Sequence, residues 1–169
     1  YKISQELDID FWEMREKAAH SFCNIHEAGI GVSGHCIPVY PWFLINNYDV
    51  PLIKKAREIN DSMVDYFVEK IKNKNIKKVL VIGLAYRENV KETIYARSIV
   101  LIEKLKQNGF EVFGLDPLYN EEETKKIFNI QRIDDFNSVD SIIVVNNNKE
   151  YFSDLKKYKD KIIGVKNII

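Results

Sequence analysis

KKVLVIGL, residues Lys77 to Leu84, is the stretch on which the fold turns. Val79 to Ile82 are all aliphatic, and Gly83 and Leu84 follow without a polar position between them. A strand with one wet face alternates apolar and polar residues, whereas an unbroken apolar run fits a strand covered on both faces, as in a parallel sheet. Downstream come a polar loop, a helical segment ARSIVLIEKLKQNG with Gly109 as its stop signal, and a second strand, EVFGLDP. A helix around Glu121 to Phe128, a strand SIIVVN, a helix near Tyr151 to Leu155 and a last strand KIIGV complete the pattern. Strands alternating with helices predict right-handed crossovers and a parallel sheet. Residues 75–169 therefore read as a Rossmann-like α/β domain.

Upstream of Asn75 the period changes. From Val50 to Lys74 the chain reads as one long helix, with Ile53, Ala56, Ile59, Met63, Phe67 and Ile71 along one face. Lys70, Lys72 and Lys74 suit the negative pole of its dipole. Nearer the start, Phe11, Met14, Ala18, Ala19 and Phe22 recur at helical steps and predict an amphipathic helix through Phe22. Between these helices, Ile25 to Pro41 holds Gly29, Gly31, Gly34, Pro38 and Pro41 and reads as a loop, with a short helix from Trp42 to Ile45 after Pro41. Residues 1–74 are thus a helical segment ahead of the sheet domain, and the fold class is α/β.

Composition narrows the function. The 169 residues carry 25 Lys+Arg against 25 Asp+Glu, so net charge gives no reason to expect nucleic acid or an anionic membrane as a partner. No apolar run approaches the roughly 20 residues that span a bilayer. The start lacks an initiator Met and a signal-peptide form, and the chain reads as the later piece of something longer. Two cysteines are too few for a disulfide framework, which makes a reduced, cytoplasmic setting the default.

The chemistry-bearing positions are few. The first strand runs into GLAYR with no G-x-G-x-x-G, so this domain is a poor primary dinucleotide site, although its switch-point crevice remains open to another ligand. Arg87, Lys91 and Arg97 lie in or after that turn, either to meet a phosphate or as solvated charge. Asp116 ends the second strand where dinucleotide folds place a ribose ligand, but with Pro117 after it and no fingerprint it reads as a turn former. Cys36, in GHCIPVYPWF, has three readings. Metal is set aside because no ligand spacing surrounds it; a buried thiol and a nucleophile remain, with adjacent His35 as weak support for the second.

Three motifs in order resemble the UDP-glucose/GDP-mannose dehydrogenase family, closest to its UDP-N-acetyl-D-mannosamine 6-dehydrogenase branch. Gly29 to Phe43, GIGVSGHCIPVYPWF, is similar to the family loop G-P-G-V-G-G-H-C-I-P-V-D-P-W/Y-F. Ala56 to Asp61 matches A-R-E-I-N-D, and Gly83 to Ile94, GLAYRENVKETI, is similar to G-L-A-F/Y-K-x-N-V-x-D/E-T-R. The resemblance implies a central-domain segment plus a C-terminal domain that contributes to UDP-sugar binding. It also implies that an NAD-binding Rossmann domain and a helix with a catalytic Lys and Asn precede Tyr1.

In the family, NAD oxidises the sugar C6 alcohol to an aldehyde, a cysteine captures it as a thiohemiacetal, a second oxidation gives a thioester, and water releases the uronate. Cys36 stands at the nucleophile position. Gly31, Gly34, His35, Tyr86 and Arg87 stand at substrate positions, and Arg97 near a cofactor-associated cation. The long helix, residues 50–74, is where the family forms its homodimer. By itself such a fragment should not turn over. Departures fall at ligand-facing positions: Tyr40 for an Asp, Arg87 for a Lys, Ile94 for an Arg, Ala28 and Ile30 for two prolines, and Ser33 for a glycine. A phenol, with an ordinary pKa near 10, does not replace a carboxylate at neutral pH. A second reading, a non-catalytic module that binds a nucleotide sugar or dimerises, follows from Tyr40 and Ile94.

Overall fold

The computed structural model describes residues 1–72, 74–146 and 149–164. Two short helices, α1 (Lys2–Glu6) and α2 (Phe11–Ala18), open the chain. After the glycine-rich stretch come α3 (Cys36–Val39), α4 (Pro41–Ile45) and the long α5 (Pro51–Lys72). The sheet unit then runs β1 (Lys78–Ile82), α6 (Arg97–Gln107), β2 (Glu111–Leu115), α7 (Glu121–Phe128), β3 (Gln131–Arg132), β4 (Ser141–Val144) and α8 (Phe152–Leu155). The four strands are parallel in the order β3-β2-β1-β4, so the expected α/β class holds.

β1 shows why the unbroken apolar run was needed. Val79 and Val81 face one core with Phe67 and Ile71 of α5 and Leu101 and Leu105 of α6. Leu80 and Ile82 face the other, against Phe136, Val139 and Leu155. All four side chains are withdrawn from water, and an alternating strand would have placed polar groups in one of those layers. The last two turns of α5 are therefore part of the sheet's core, although that helix belongs by sequence to the segment before it.

Local chemistry sets the helix ends. α7 begins with a capping box in which the Asn120 carboxamide and the Glu123 carboxylate each accept the other residue's backbone N–H, and it ends at Asn129 in the left-handed region. Asp10 caps α2 by accepting from the amides of Trp12 and Glu13.

Three expectations are corrected. The first helix stops at Ala18: Ala19 is extended, and His20 and Cys23 exchange backbone hydrogen bonds across a turn whose Phe22 amide also donates to His20 Nδ1. Local bonds of this kind compete with the helix, and Phe22 is left 95% exposed. The stretch read as a loop up to Pro41 contains α3, which tolerates Pro38 because first-turn amides have no intrahelical acceptor. The last strand is reduced to a parallel bridge of Ile162 to Ile142, with the Ile163 amide donating to the Ile142 carbonyl; its continuation from residue 165 lies outside the described residues, as does Asn73 in the stretch read as the end of the long helix. β3, two residues long, was not anticipated.

Candidate functional site

A cleft of about 830 Å³ opens at the carboxyl ends of β1 and β4, the point where the chain's connections leave in opposite directions. Its walls are the stretch Glu27 to Ser33, Ile59, Asn60 and Met63 of α5, the turn Tyr86 to Val90 after β1, and Val145 and Asn146 after β4. Tyr1 closes one end, its hydroxyl donating to Gln5 Oε1, and burial followed by the neighbouring Tyr66 pushes that phenol up to about 12. It is a neutral hydroxyl throughout the physiological range.

The glycine stretch earns its shape at two positions. Gly31 has φ +116°, and a Cβ there would lie 2.9 Å from both Arg97 Nε and the Asn60 carbonyl. Gly34 has φ +94°, and a Cβ there would sit 3.1 Å from the Tyr86 ring. Both adopt a backbone that L side chains rarely do, and a Cβ would force a shift of the Asn60 carbonyl at one and of the Tyr86 ring at the other. Between them, the Val32 amide donates to Asn60 Oδ1 at 2.7 Å.

Past Gly34 the chain docks on the sheet unit through aromatic edges. The His35 ring meets Tyr86 at 6.3 Å and Tyr95 at 5.7 Å between centroids, near perpendicular in both cases. Cys36 follows at once, exposed and unpaired, in the first turn of α3. The Tyr40 amide donates to the Cys36 carbonyl at 3.0 Å, so position 40 lies one helical turn beyond Cys36 and on its face. The Tyr40 ring is exposed and leans on Phe43.

The turn after β1 is occupied from within. Asp116, 1% exposed, accepts from the amides of Leu84 at 2.7 Å and Ala85 at 3.1 Å through Oδ2, and from Leu118 at 2.9 Å through Oδ1. The Leu84 and Ala85 amides are the ones that would otherwise cradle a pyrophosphate. With no glycine fingerprint and a carboxylate already in place, the turn does not fit a dinucleotide, and the turn-forming reading of Asp116 is what the geometry shows. Asn146 Nδ2 donates to the Ala85 carbonyl at 2.6 Å and Ser98 Oγ to the Leu84 carbonyl at 2.5 Å, which pins the same turn from two further sides.

The anticipated residues thus divide. Gly31, Tyr86 and Arg87 line the cleft; Gly34 and His35 pack on its Tyr86; Cys36 stands next in sequence at that edge. Arg87 forms no ion pair among the described residues, and its guanidinium lies 5.4 Å from the Tyr86 ring centroid. Arg97, expected as a cofactor contact, turns instead to α5: Nη1 donates to Asp61 Oδ1 at 3.1 Å, and Nη2 to the carbonyls of Asn60 at 3.3 Å and Asp61 at 2.8 Å. Asn60 and Asn146 escaped the sequence reading as site residues, whereas Ser33 was noted there only as a departure at a ligand-facing position. Of those two, Asn60, inside the A-R-E-I-N-D match, carried a signal that could have flagged it.

Among the described residues no three His, Cys, Asp or Glu side chains converge as a metal site would need, and no helix is long and apolar enough to cross a membrane. A model of the UDP binding domain of the UDP-glucose/GDP-mannose dehydrogenase family matches residues 80–169, and a model of that family's central domain matches residues 1–62. The UDP-N-acetyl-D-mannosamine dehydrogenase of Methanocaldococcus jannaschii is 37% identical over 99% of this chain, which spans 42% of that relative. The enzyme of the same name from Campylobacter jejuni is 30% identical over 96% of the chain and is likewise matched over 42% of its length. Among solved structures, a UDP-D-ManNAc dehydrogenase from Pyrococcus horikoshii superposes with a TM-score of 0.75 at 25% identity, covering 99% of this chain and 43% of its own. The native UDP-N-acetyl-mannosamine dehydrogenase Cap5O of Staphylococcus aureus gives 0.74 at 29% identity, over 99% of this chain and 41% of its own.

Proposed function

The chain belongs to the UDP-glucose/GDP-mannose dehydrogenase family, and from that premise we propose that it is the C-terminal part of an NAD-dependent nucleotide-sugar 6-dehydrogenase acting on a UDP-sugar such as UDP-N-acetylmannosamine or UDP-glucose. The observation that carries the reading is the cleft at the β1 and β4 ends, with Arg87 on its wall and the Gly34–Cys36 segment docked at its edge. Arg87 offers a planar fork to a diphosphate, and the backbone at Gly29, where a Cβ would meet only open space, lets a ligand approach without side-chain interference.

Cys36 supplies the thiol. Its sulfur adds to the C6 aldehyde carbon, the carbonyl π pair moves to oxygen, and the proton lost by sulfur ends on that oxygen as a thiohemiacetal. An NAD held elsewhere in the full-length protein would supply the hydride acceptor for the two oxidations. The turn after β1 does not fit it, so its site belongs mainly to an upstream domain of the full-length protein, and this chain alone does not turn over. Two exposed, unpaired cysteines favour the reducing cytoplasm. A second copy of the chain docks along α4 and α5, where Phe43 is 65% and Leu52 82% exposed beside Trp42 and Ile59.

A second reading is favoured by Tyr40: a module that binds the nucleotide sugar or dimerises without catalysing. Calorimetry of the chain with UDP and with UDP-N-acetylmannosamine tests the binding that both share, and no heat with either ligand overturns it. NADH formation by the full-length protein, with and without Tyr40→Asp, separates the two. Activity in the unmodified protein supports the dehydrogenase, and activity only after Tyr40→Asp supports the module.

A further inference from the structure

We propose that Arg97 is a positioning residue that holds the glycine wall of the cleft in its ligand-ready shape from behind, without touching the ligand. The inference rests on the nucleotide-sugar reading above for its ligand, but its geometry stands independently. Arg97 opens α6 and meets the wall from behind at Gly31 and Ser33. Gly31 leaves no room for a Cβ above its Nε. Val32 donates to Asn60 Oδ1, and the carbonyl of that same Asn60 accepts from Arg97 Nη2. Ser33 Oγ accepts from the Arg97 amide at 3.1 Å. Ser33 is therefore bound to Arg97 and Val32 to a residue that Arg97 holds, while Gly31 packs directly over its guanidinium.

The residue type suits the task. One guanidinium reaches a carboxylate and two successive carbonyls at once, which the point charge of a lysine cannot do. Asp61 is shared: Arg57 Nη2 donates to the same Oδ1 at 2.8 Å, so the carboxylate is held from its own helix while Arg97 grips it from α6. Arg97 and Asp61 do not line the cleft, whereas Gly31, Val32, Ser33 and Asn60 do. The clamp thus joins α5, α6 and the wall, and sets their spacing across the cleft.

The test uses the chain itself, with UDP as the probe and three readouts: UDP affinity by calorimetry, the thermal midpoint, and hydrogen exchange at the Val32 amide. Arg97→Met should weaken UDP by about tenfold, equivalent to losing one charge-assisted contact set, and should speed Val32 exchange. Arg97→Lys, which keeps charge and length, should recover the midpoint but not the affinity; it also serves as the informative variant should Arg97→Met not fold. A lowered midpoint with unchanged UDP affinity and unchanged Val32 exchange assigns Arg97 to general stability and overturns the proposal. If the unmodified chain does not bind UDP, the nucleotide-sugar reading fails, and Val32 exchange alone decides the clamp.

Discussion

In the sheet and its flanking helices, Val79 to Ile82, Leu101, Leu105, Ile142 and Ile143 are shut away from solvent, while in the first fifty residues Leu7, Phe22, Ile37 and Phe43 stand open to it. Both regions are rich in large apolar side chains, but most of the buried ones belong to the second half of α5 and the sheet unit, with Phe11 and Ile30 as the opening segment's buried exceptions. The difference is one of layer geometry. A parallel sheet offers two faces for helices to cover, whereas α1 to α4 are too short to enclose a core of their own. The sheet unit should therefore answer to core mutations, and the opening segment to whatever covers its surface.

The largest expected effect tests the packed side. Phe67→Ala, at a fully buried position of α5 facing β1, should destabilise by about 3–5 kcal/mol in a denaturant titration, and a cost below about 1 kcal/mol would remove α5 from the core. Next comes Asp116→Ala, which strands the Leu84 and Ala85 amides in a buried turn and should cost about 1–3 kcal/mol by the same measurement.

Asp140 should give a smaller effect that depends on pH. Its carboxylate accepts from the Lys78 and Lys77 amides at the head of β1, and those bonds hold it below the usual carboxylate range. A depressed folded value means that its stabilisation is present above the unfolded value near 4 and fades as pH falls through the folded one. The gap in thermal midpoint between the protein and Asp140→Asn should accordingly be open at pH 7 and close in acid; a gap that widened in acid would reverse the assignment. The smallest effect belongs to the open side. Phe22→Ser should move stability by no more than about 0.5 kcal/mol, and a larger loss would show that the opening segment is packed after all.

What could be read from the sequence follows the same division. β1, β2 and β4 were legible because burial on both faces leaves no choice but apolar residues, α5 because of its long apolar period, and α6 because Gly109 marks its end. Phe22 misled because a helical period continued in letters after local hydrogen bonds had already turned the backbone. β3 is too short for any period to register. Within the site, Gly31 and Gly34 announced themselves by type, whereas the Arg97–Asp61 clamp joins positions 36 residues apart and leaves no trace in local spacing. Arg97 shows the limit well: as an arginine near a phosphate turn it looked like a ligand contact, and only the fold reveals that it points into the protein.

The carboxylate of Asp116 has one consequence beyond stability. Because it is tethered, it meets the amides of the β1 turn at the high effective concentration of an intramolecular ligand, commonly about millimolar or more for short connections. Any free nucleotide phosphate arriving there faces a resident competitor that never diffuses away. The fold keeps the outline of a dinucleotide binder with its principal anion seat already taken by one of its own residues, and guests are left to the neighbouring crevice between β1 and β4.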